Sequence, residues 1–420
     1  MAGELSLTVT LHRPVYQALP TPQQAYVLLE GIPTAAAPGT SAQPVNFSLV
    51  LDRSGSMAGE KLRQLKAAAA SIVDRMGPQD LLSVVVFDDT ADVIVPCGAV
   101  QDREAIQHRI ASVDERGGTH MSTGMGAGLQ ELQQGLSPNR VNSMLLLTDG
   151  QTWEDTLQCE TLADQCRASG IPINVLGLGV GAESNWDPIL LENLAQRSGG
   201  EWTVIDSLEK VSAVFAKTLL AMQGTAVTNA SLTMRLVEGI SPRTVWRVIP
   251  LISRLDHQAV SLHDVQVFLG DIQHNVGQAV LADLLLPARP AGIYRLIQAD
   301  ITYDVPGSGL TRQKVTVDVV LTFVDDPAQA NQTNPRMMNI IERVVAHKLQ
   351  TQALDEATMG NAKKATQRLR AAATRLLELG ENDLAQAANQ QAQQIEEGGQ
   401  IDPAAAQKMR YATKKLTESL

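Results

Sequence analysis

Between residues 45 and 222, continuous apolar runs alternate with segments of helical periodicity, and no other feature constrains the fold as strongly. VNFSLVLD, LLSVVVF, NSMLLLTDG and IPINVLGLG are too uniformly apolar to keep one face in water. Strands buried on both faces belong to mostly parallel sheets covered by helices. The segments between them supply such helices. Residues 59–76 place Leu62, Leu65, Ala69, Ile72 and Met76 at helical spacing. Further helices are expected near 102–112, 122–135, 156–169, 187–197 and 207–222. ADVIVP (91–96) follows LLSVVVF across Asp88-Asp89-Thr90 as a hairpin, and EWTVID adds a last strand. The expected unit is a doubly wound, Rossmann-like α/β domain.

The flanks read differently. From 225 to about 324, short and largely alternating runs (SLTMRLV, TVWRVI, AVSLHDV, QVFLGDI, AVLADLLL, GIYRLIQADITYDV, KVTVDVVLTFV) are separated by turn signals such as Pro306-Gly307. This pattern predicts an antiparallel β-sandwich. LSLTVTL (5–11) and AYVLLEG (25–31) also read as strands, and an isolated hairpin is marginal in water. They are therefore expected to join the sandwich, which makes the α/β unit an insertion. After Asn334-Pro335 the pattern turns helical. Met338, Ile341, Val345 and Leu349 share one face, as do Leu369, Ala373, Leu376 and Leu377. Gly380, Gly398-Gly399 and Pro403 punctuate three or four helices. The expected division is 1–44 (strands of the sandwich), 45–222 (α/β), 223–328 (β-sandwich) and 329–420 (helical).

Three loops of the α/β unit concentrate oxygen donors. Asp52-Arg53-Ser54-Gly55-Ser56 follows a buried strand, Gly117-Gly118-Thr119-His120 precedes a helix, and Thr148-Asp149-Gly150 follows another buried strand. In an open parallel sheet, loops beyond the carboxyl ends of the strands line one crevice. Asp52, Ser54, Ser56, Thr119 and Asp149 offer two carboxylates, three hydroxyls and no soft ligand. Such a set suits a hard divalent cation: Mg²⁺ first, with Mn²⁺ or Ca²⁺ as alternatives.

These motifs, D-x-S-x-S at 52–56, G-G-T at 117–119 and T-D-G at 148–150, resemble the metal-ion-dependent adhesion site of von Willebrand factor type A domains. The segment INVLGLGVG…LLENLAQRSGGEWTVIDS is similar to the last strands of that family. The resemblance implies that Ser54 and Ser56 bind the metal directly. It implies that Thr119 binds directly or through water, and that Asp52 and Asp149 often act through waters. It also implies a protein partner whose Asp or Glu completes the coordination, and a rim of Arg53, Met57, His120 and Gly150 facing that partner. The guanidinium of Arg53 either faces the acidic partner or pairs with Asp88 or Asp89. The wider layout is similar to inter-alpha-trypsin inhibitor heavy chains and their bacterial relatives. Bacterial type A proteins often work with AAA+ ATPases, which makes such an ATPase a candidate partner.

Several classes are disfavoured. Lys and Arg total 34 against 45 Asp and Glu, a formal net charge of -11, so phosphate backbones and anionic lipid would repel the chain. Aromatic residues are only 3%, too few for base-stacking platforms. Three cysteines, Cys97, Cys159 and Cys166, make no disulfide framework and lack zinc spacing. Cys159 and Cys166, seven residues apart, read as small apolar core residues. The start MAGELSLTVT lacks the features of a signal peptide, and no run of 18 apolar residues occurs, so a cytoplasmic protein is expected. Neither a GxSxG elbow nor a phosphate-cradling GxxxxGK[ST] loop is present. Gly177 to Gly181 falls at the fifth strand rather than the first, so it reads as a turn and not a dinucleotide fingerprint. The expected function is metal-dependent protein recognition without catalysis. Its rivals are a scaffold that binds through the sandwich and helical tail, and a metal-assisted hydrolase.

Overall fold

The computed structural model describes residues 3–34, 42–149, 152, 155–178, 187–330, 332–398 and 403–418. The chain opens with strands β1 (Leu5–Leu11), β2 (Val15–Gln17) and β3 (Gln23–Pro33). Then come β4 (Val45–Asp52), α1 (Glu60–Arg75), β5 (Leu81–Phe87), β6 (Ala91–Ala99), α2 (Arg103–Ala111), α3 (Met121–Gln134) and β7 (Val141–Thr148). They are followed by α4 (Thr156–Ala168), β8 (Ile173–Leu178), α5 (Pro188–Ser198), β9 (Trp202–Ile205) and α6 (Val211–Gln223). Strands β10 (Thr225–Leu236), β11 (Ser241–Ile249), β12 (Ser253–Leu255), β13 (His257–Ala259), β14 (Asp264–Gln273), β15 (Gln278–Leu286), β16 (Gly292–Val305) and β17 (Leu310–Val324) lead to the helices α7 (Pro335–Thr358), α8 (Ala362–Glu378), α9 (Asn382–Glu396) and α10 (Pro403–Lys414).

The six-stranded α/β sheet has the order β6-β5-β4-β7-β8-β9, parallel except for the β5–β6 hairpin. β4 and β7 are buried at every position, because α1 and α6 cover one face and α3, α4 and α5 the other. Cys159 and Cys166 point into the second of these cores, where burial raises both thiols, Cys166 to about 12.

Helix α3 approaches the sheet unusually closely. A Cβ on Gly124 would stand 2.6 Å from the Phe87 ring, and one on Gly128 would stand 2.5 Å from Val50. Gly124 and Gly128 are therefore packing requirements, even though glycine weakens helices, whereas a Cβ on Gly126 would meet nothing.

The flanking strands build a sandwich from two sheets, β1-β3-β15-β11-β12 and β13-β14-β10-β16-β17-β2. β1 pairs with β3 and β3 with β15, so strands that precede the α/β unit close a sheet with strands that follow it. The α/β unit is thus inserted into the sandwich. One sequence expectation needs correction. AVSLHDV is not a strand: the chain turns after Ala259, with the Ser261 hydroxyl accepting from the backbone NH of Asp264 at 3.1 Å. The three-residue β2, parallel to β17, went unseen because periodicity needs a longer window.

The four C-terminal helices cover the outer face of the first sandwich sheet. Trp246, Val248, Leu28 and Leu281 of that sheet pack with Met337, Ile340, Val344 and Leu376. This explains why β15 is buried at nearly every position instead of alternating. His347 sits in this layer, its Nδ1 2.9 Å from the Thr413 hydroxyl and its ring edge-on to Trp246. Desolvation, and then the charges of Lys414 and Arg410, hold its imidazole well below the usual range.

Two predictions follow from this packing. Gly124→Ala should lose about 1–2 kcal/mol in urea unfolding, since the clash with Phe87 outweighs the helix-propensity gain. His347 stays neutral in the fold but takes up a proton in the unfolded chain as pH falls through about 6.5. Its contribution to stability is therefore present above that pH and lost below it. Between pH 7 and pH 5.5, His347→Gln should lose about 1 kcal/mol less stability than the parent chain.

Candidate metal centre

β4 and β7 are neighbours, and the chain leaves β4 toward β5 on one side while β7 flanks it on the other. This is a topological switch point, where the strand ends frame a crevice. Asp52 ends β4 and Asp149 follows β7, so the fold delivers two carboxylates to one buried place.

Asp52 is fully buried. Its Oδ1 accepts from the Ser54 backbone NH at 2.8 Å and its Oδ2 from the Thr148 hydroxyl at 2.7 Å. Desolvation pushes this carboxyl up to about 6; the Asp149 charge adds to the rise, and the bonds from Thr148 and Ser54 oppose it. Both oxygens are already engaged, which suits a group that shapes a cation site from behind rather than touching the ion. Ser54 Oγ lies 3.0 Å from Ser56 Oγ, and Ser56 Oγ donates to Asp149 Oδ1 at 2.7 Å.

The second loop is tied to the first through the backbone. Gly55 NH donates to Gly117 O at 3.1 Å, and Arg116 NH to Arg53 O at 2.8 Å. Gly117 and Gly118 have no side chain to block Asp89, whose carboxylate would stand within 2.6 Å of a Cβ at either position and accepts from Gly118 NH at 3.1 Å. Asp52, Ser54, Ser56 and Asp149 thus stand in one chain of contacts. Thr119, 6% exposed, makes no side-chain hydrogen bond to this chain of contacts among the described residues; its carbonyl accepts from the Thr152 hydroxyl at 3.4 Å.

Two members of the expected rim face inward. Met57 is completely buried in the core beneath α1, so it cannot touch a partner. Arg53 is 5% exposed, and its guanidinium binds Asp88 and Asp92, each at 2.6 Å. It clamps the β5–β6 hairpin instead of facing outward. Asp88 matches one of the two partners expected from the sequence, whereas Asp92 replaces Asp89. His120 keeps an open position, its side chain 44% exposed and its Nδ1 3.5 Å from Asp89 Oδ1. Gly150 lies outside the described residues, as do Gly179, Val180 and Gly181 of the Gly177–Gly181 stretch.

Sequence reasoning missed Lys61. Its ammonium donates to Ser56 O at 3.2 Å and forms an ion pair with Asp149 Oδ2, whose side chain is wholly buried. A lysine in the first turn of α1 opposes the helix macrodipole, and that is the signal that a carboxylate waits nearby. Asp155 was missed as well. It accepts from Ser122 NH at 2.7 Å and from the Thr152 hydroxyl, and so fastens the third loop to the start of α3.

The donor set can be tested against a cation on this geometry. Lys61 is itself a cation standing among Ser56 and Asp149, with Ser54 one contact further. Positive charge is therefore what this pocket stabilises, and its donors are all hard oxygens. Among the described residues no three His, Cys, Asp or Glu side chains gather closely enough to hold a metal, so a cation here relies on hydroxyls as well as carboxylates.

Comparison with known proteins agrees with this architecture. Residues 46–216 match the von Willebrand factor type A domain family, and 335–419 match the Sll0103-like, C-terminal alpha-helical domain. The chain carries a von Willebrand factor type A domain. Its likenesses are more particular than that. The uncharacterized protein sll0103 of Synechocystis sp. is 30% identical over 276 residues, which are 64% of this chain and 63% of that protein. Human inter-alpha-trypsin inhibitor heavy chain H4 is 29% identical over 175 residues, 39% of this chain and 18% of the relative. The match thus spans less than two thirds of the first relative and under a fifth of the second. The solved von Willebrand factor type A protein from Catenulispora acidiphila shares the fold across 98% of this chain and 96% of its own, with a TM-score of 0.79 at 16% identity.

Lys61→Met removes the only cation paired with Asp149 among the described residues. In chelator, thermal or urea unfolding should show a loss of about 1–3 kcal/mol, discounted because Lys61 is partly exposed. Adding Mg²⁺ should raise the melting temperature of the variant more than that of the parent, since no ammonium then competes for Asp149.

Proposed function

We propose that this chain is a metal-dependent protein-recognition module acting through the crevice at the carboxyl ends of β4 and β7. Ser54, Ser56 and Thr119 would hold the cation with their hydroxyls, and Asp52 and Asp149 would balance its charge. When bound, a divalent cation would supply a positive centre with an exchangeable position for an acidic group of a partner. Mg²⁺ suits the all-oxygen donor set best, followed by Mn²⁺ and Ca²⁺. The observation that carries this reading is the Lys61 ammonium on the Asp149 carboxylate and the Ser56 backbone carbonyl, with the Ser56 and Ser54 hydroxyls linked to the same carboxylate.

The partner is a protein that offers Asp or Glu, with an AAA+ ATPase as one class that the family resemblance suggests. His120 stands at the open edge to meet it, and Arg53 and Met57 shape the loop from within. The reading places the protein in the cytoplasm and assigns it binding rather than catalysis. No helix among the described residues is long and apolar enough to cross a membrane. The scaffold alternative needs a free apolar surface on the helical tail, yet much of that surface is spent on the sandwich sheet.

Affinity capture from source-cell lysate tests the reading, with three baits: the parent chain in Mg²⁺, the parent chain in chelator, and Ser54→Ala/Ser56→Ala in Mg²⁺. A partner should be retained by the first bait and reduced about tenfold or more on the other two. The double variant should keep a cooperative melt, because the two hydroxyls lie outside the hydrophobic cores. Identical partner lists from all three baits would remove the metal from the mechanism.

A further inference from the structure

A cavity of about 1130 Å³ opens where the three regions of the chain meet. Its walls come from β8, β9 and α6 of the α/β unit, from β11, β14 and β15 of the sandwich, and from α10. None of Asp52, Ser54, Ser56, Thr119 or Asp149 is among its lining residues. Its volume is that of a small-molecule site.

Arg247 on β11 lines this cavity and is only 7% exposed. Its Nε is buried without a hydrogen-bond partner, and its guanidinium makes no ion pair among the described residues. Burial works against its charge, and Glu201 acts on it only through space. A guanidinium does not escape by losing its proton, so a buried one calls for an anion. Glu192, behind α10, is not among the lining residues and is paired with Arg410 at 2.8 Å and with Lys414.

The rest of the wall does not neutralise Arg247 either. Arg336 pairs with Glu30 at 2.7 Å, Lys210 with Asp206 at 2.7 Å and Lys415 with Glu418 at 4.0 Å. Lys217 and Lys408, both exposed at the wall, have no ion pair among the described residues. Against these three unpaired cations the wall sets two acids without an ion pair among the described residues, Glu201 and Asp271, the second pushed up to about 7 by desolvation, so the excess is cancelled only in part.

We propose that the cavity binds a small molecule bearing a carboxylate or phosphate group, with Arg247 as the anchor for its oxyanion. The planar fork of a guanidinium matches both anions through paired hydrogen bonds. Lys217 and Lys408 add to the attraction from the wall. This site is independent of the metal centre, so either can exist without the other.

Isothermal titration calorimetry on the full chain tests it, with inorganic phosphate and succinate as separate probes and sodium chloride at matched ionic strength as control. Saturable binding of one probe is expected, and the identity of that probe tells a phosphorylated ligand from a carboxylic one. Arg247→Gln should weaken it about tenfold or more. Lack of saturable binding by either probe up to the order of 10 mM would overturn the proposal. So would unchanged affinity in Arg247→Gln. If circular dichroism shows that this variant does not fold, the exposed pair Lys217→Gln/Lys408→Gln takes its place, with weakened binding expected and unchanged affinity counting against the proposal.

Discussion

Two carboxylates placed side by side in a buried crevice set the terms for the rest of the α/β unit. The parallel pairing of β4 and β7 brings Asp52 and Asp149 together, and buried like charges repel strongly unless something answers them. The protein answers each differently. Asp52 is met by a hydroxyl and a backbone NH, which leave it raised toward neutrality. Asp149 is met by the Ser56 hydroxyl and the Lys61 ammonium. The glycines of the second loop, the Asp155 anchor on α3 and the Arg53 clamp all keep these loops at one point. A fold that needs positive charge there is predisposed to hold a cation.

The insertion of the α/β unit has a structural consequence beyond topology. Both ends of the unit are strands' ends in the sandwich: β3 leads in and β10 leads out. Residues far apart in sequence therefore line common walls. The helical tail completes the arrangement, since α10 touches the α/β unit through Tyr411 edge-on to Trp202 and through Arg410 and Lys414 on Glu192. The cavity around Arg247 exists because these three regions close on one another without filling the space between them.

Much of this was legible in the sequence. The runs that form β4, β5, β7 and β8 carry apolar residues on both faces instead of alternating, and only strands covered on both faces need that. The oxygen-rich loops could be read because their donors lie within a few residues of each other and follow such runs. The return of β1 and β3 to the later sandwich followed from the instability of a lone hairpin. Other elements were hidden. AVSLHDV has strand-like composition, but the Ser261 hydroxyl accepts from the backbone NH groups of His263 and Asp264 and turns the chain. β2 is three residues long and exists through its pairing with β17.

The sequence by itself determined the parallel sheet, the inserted arrangement and the meeting of Asp52, Ser54, Ser56 and Asp149 at its strand ends. Those properties depend on local apolarity, spacing and chain connectivity. Tertiary structure alone decided where the charges found partners. It turned Arg53 inward to Asp88 and Asp92, sank Met57 into the core, set Lys61 on Asp149 and left Arg247 without an ion pair among the described residues. Each outcome depends on groups tens to hundreds of residues apart meeting at ångström distances in low dielectric, and composition and periodicity do not encode such meetings.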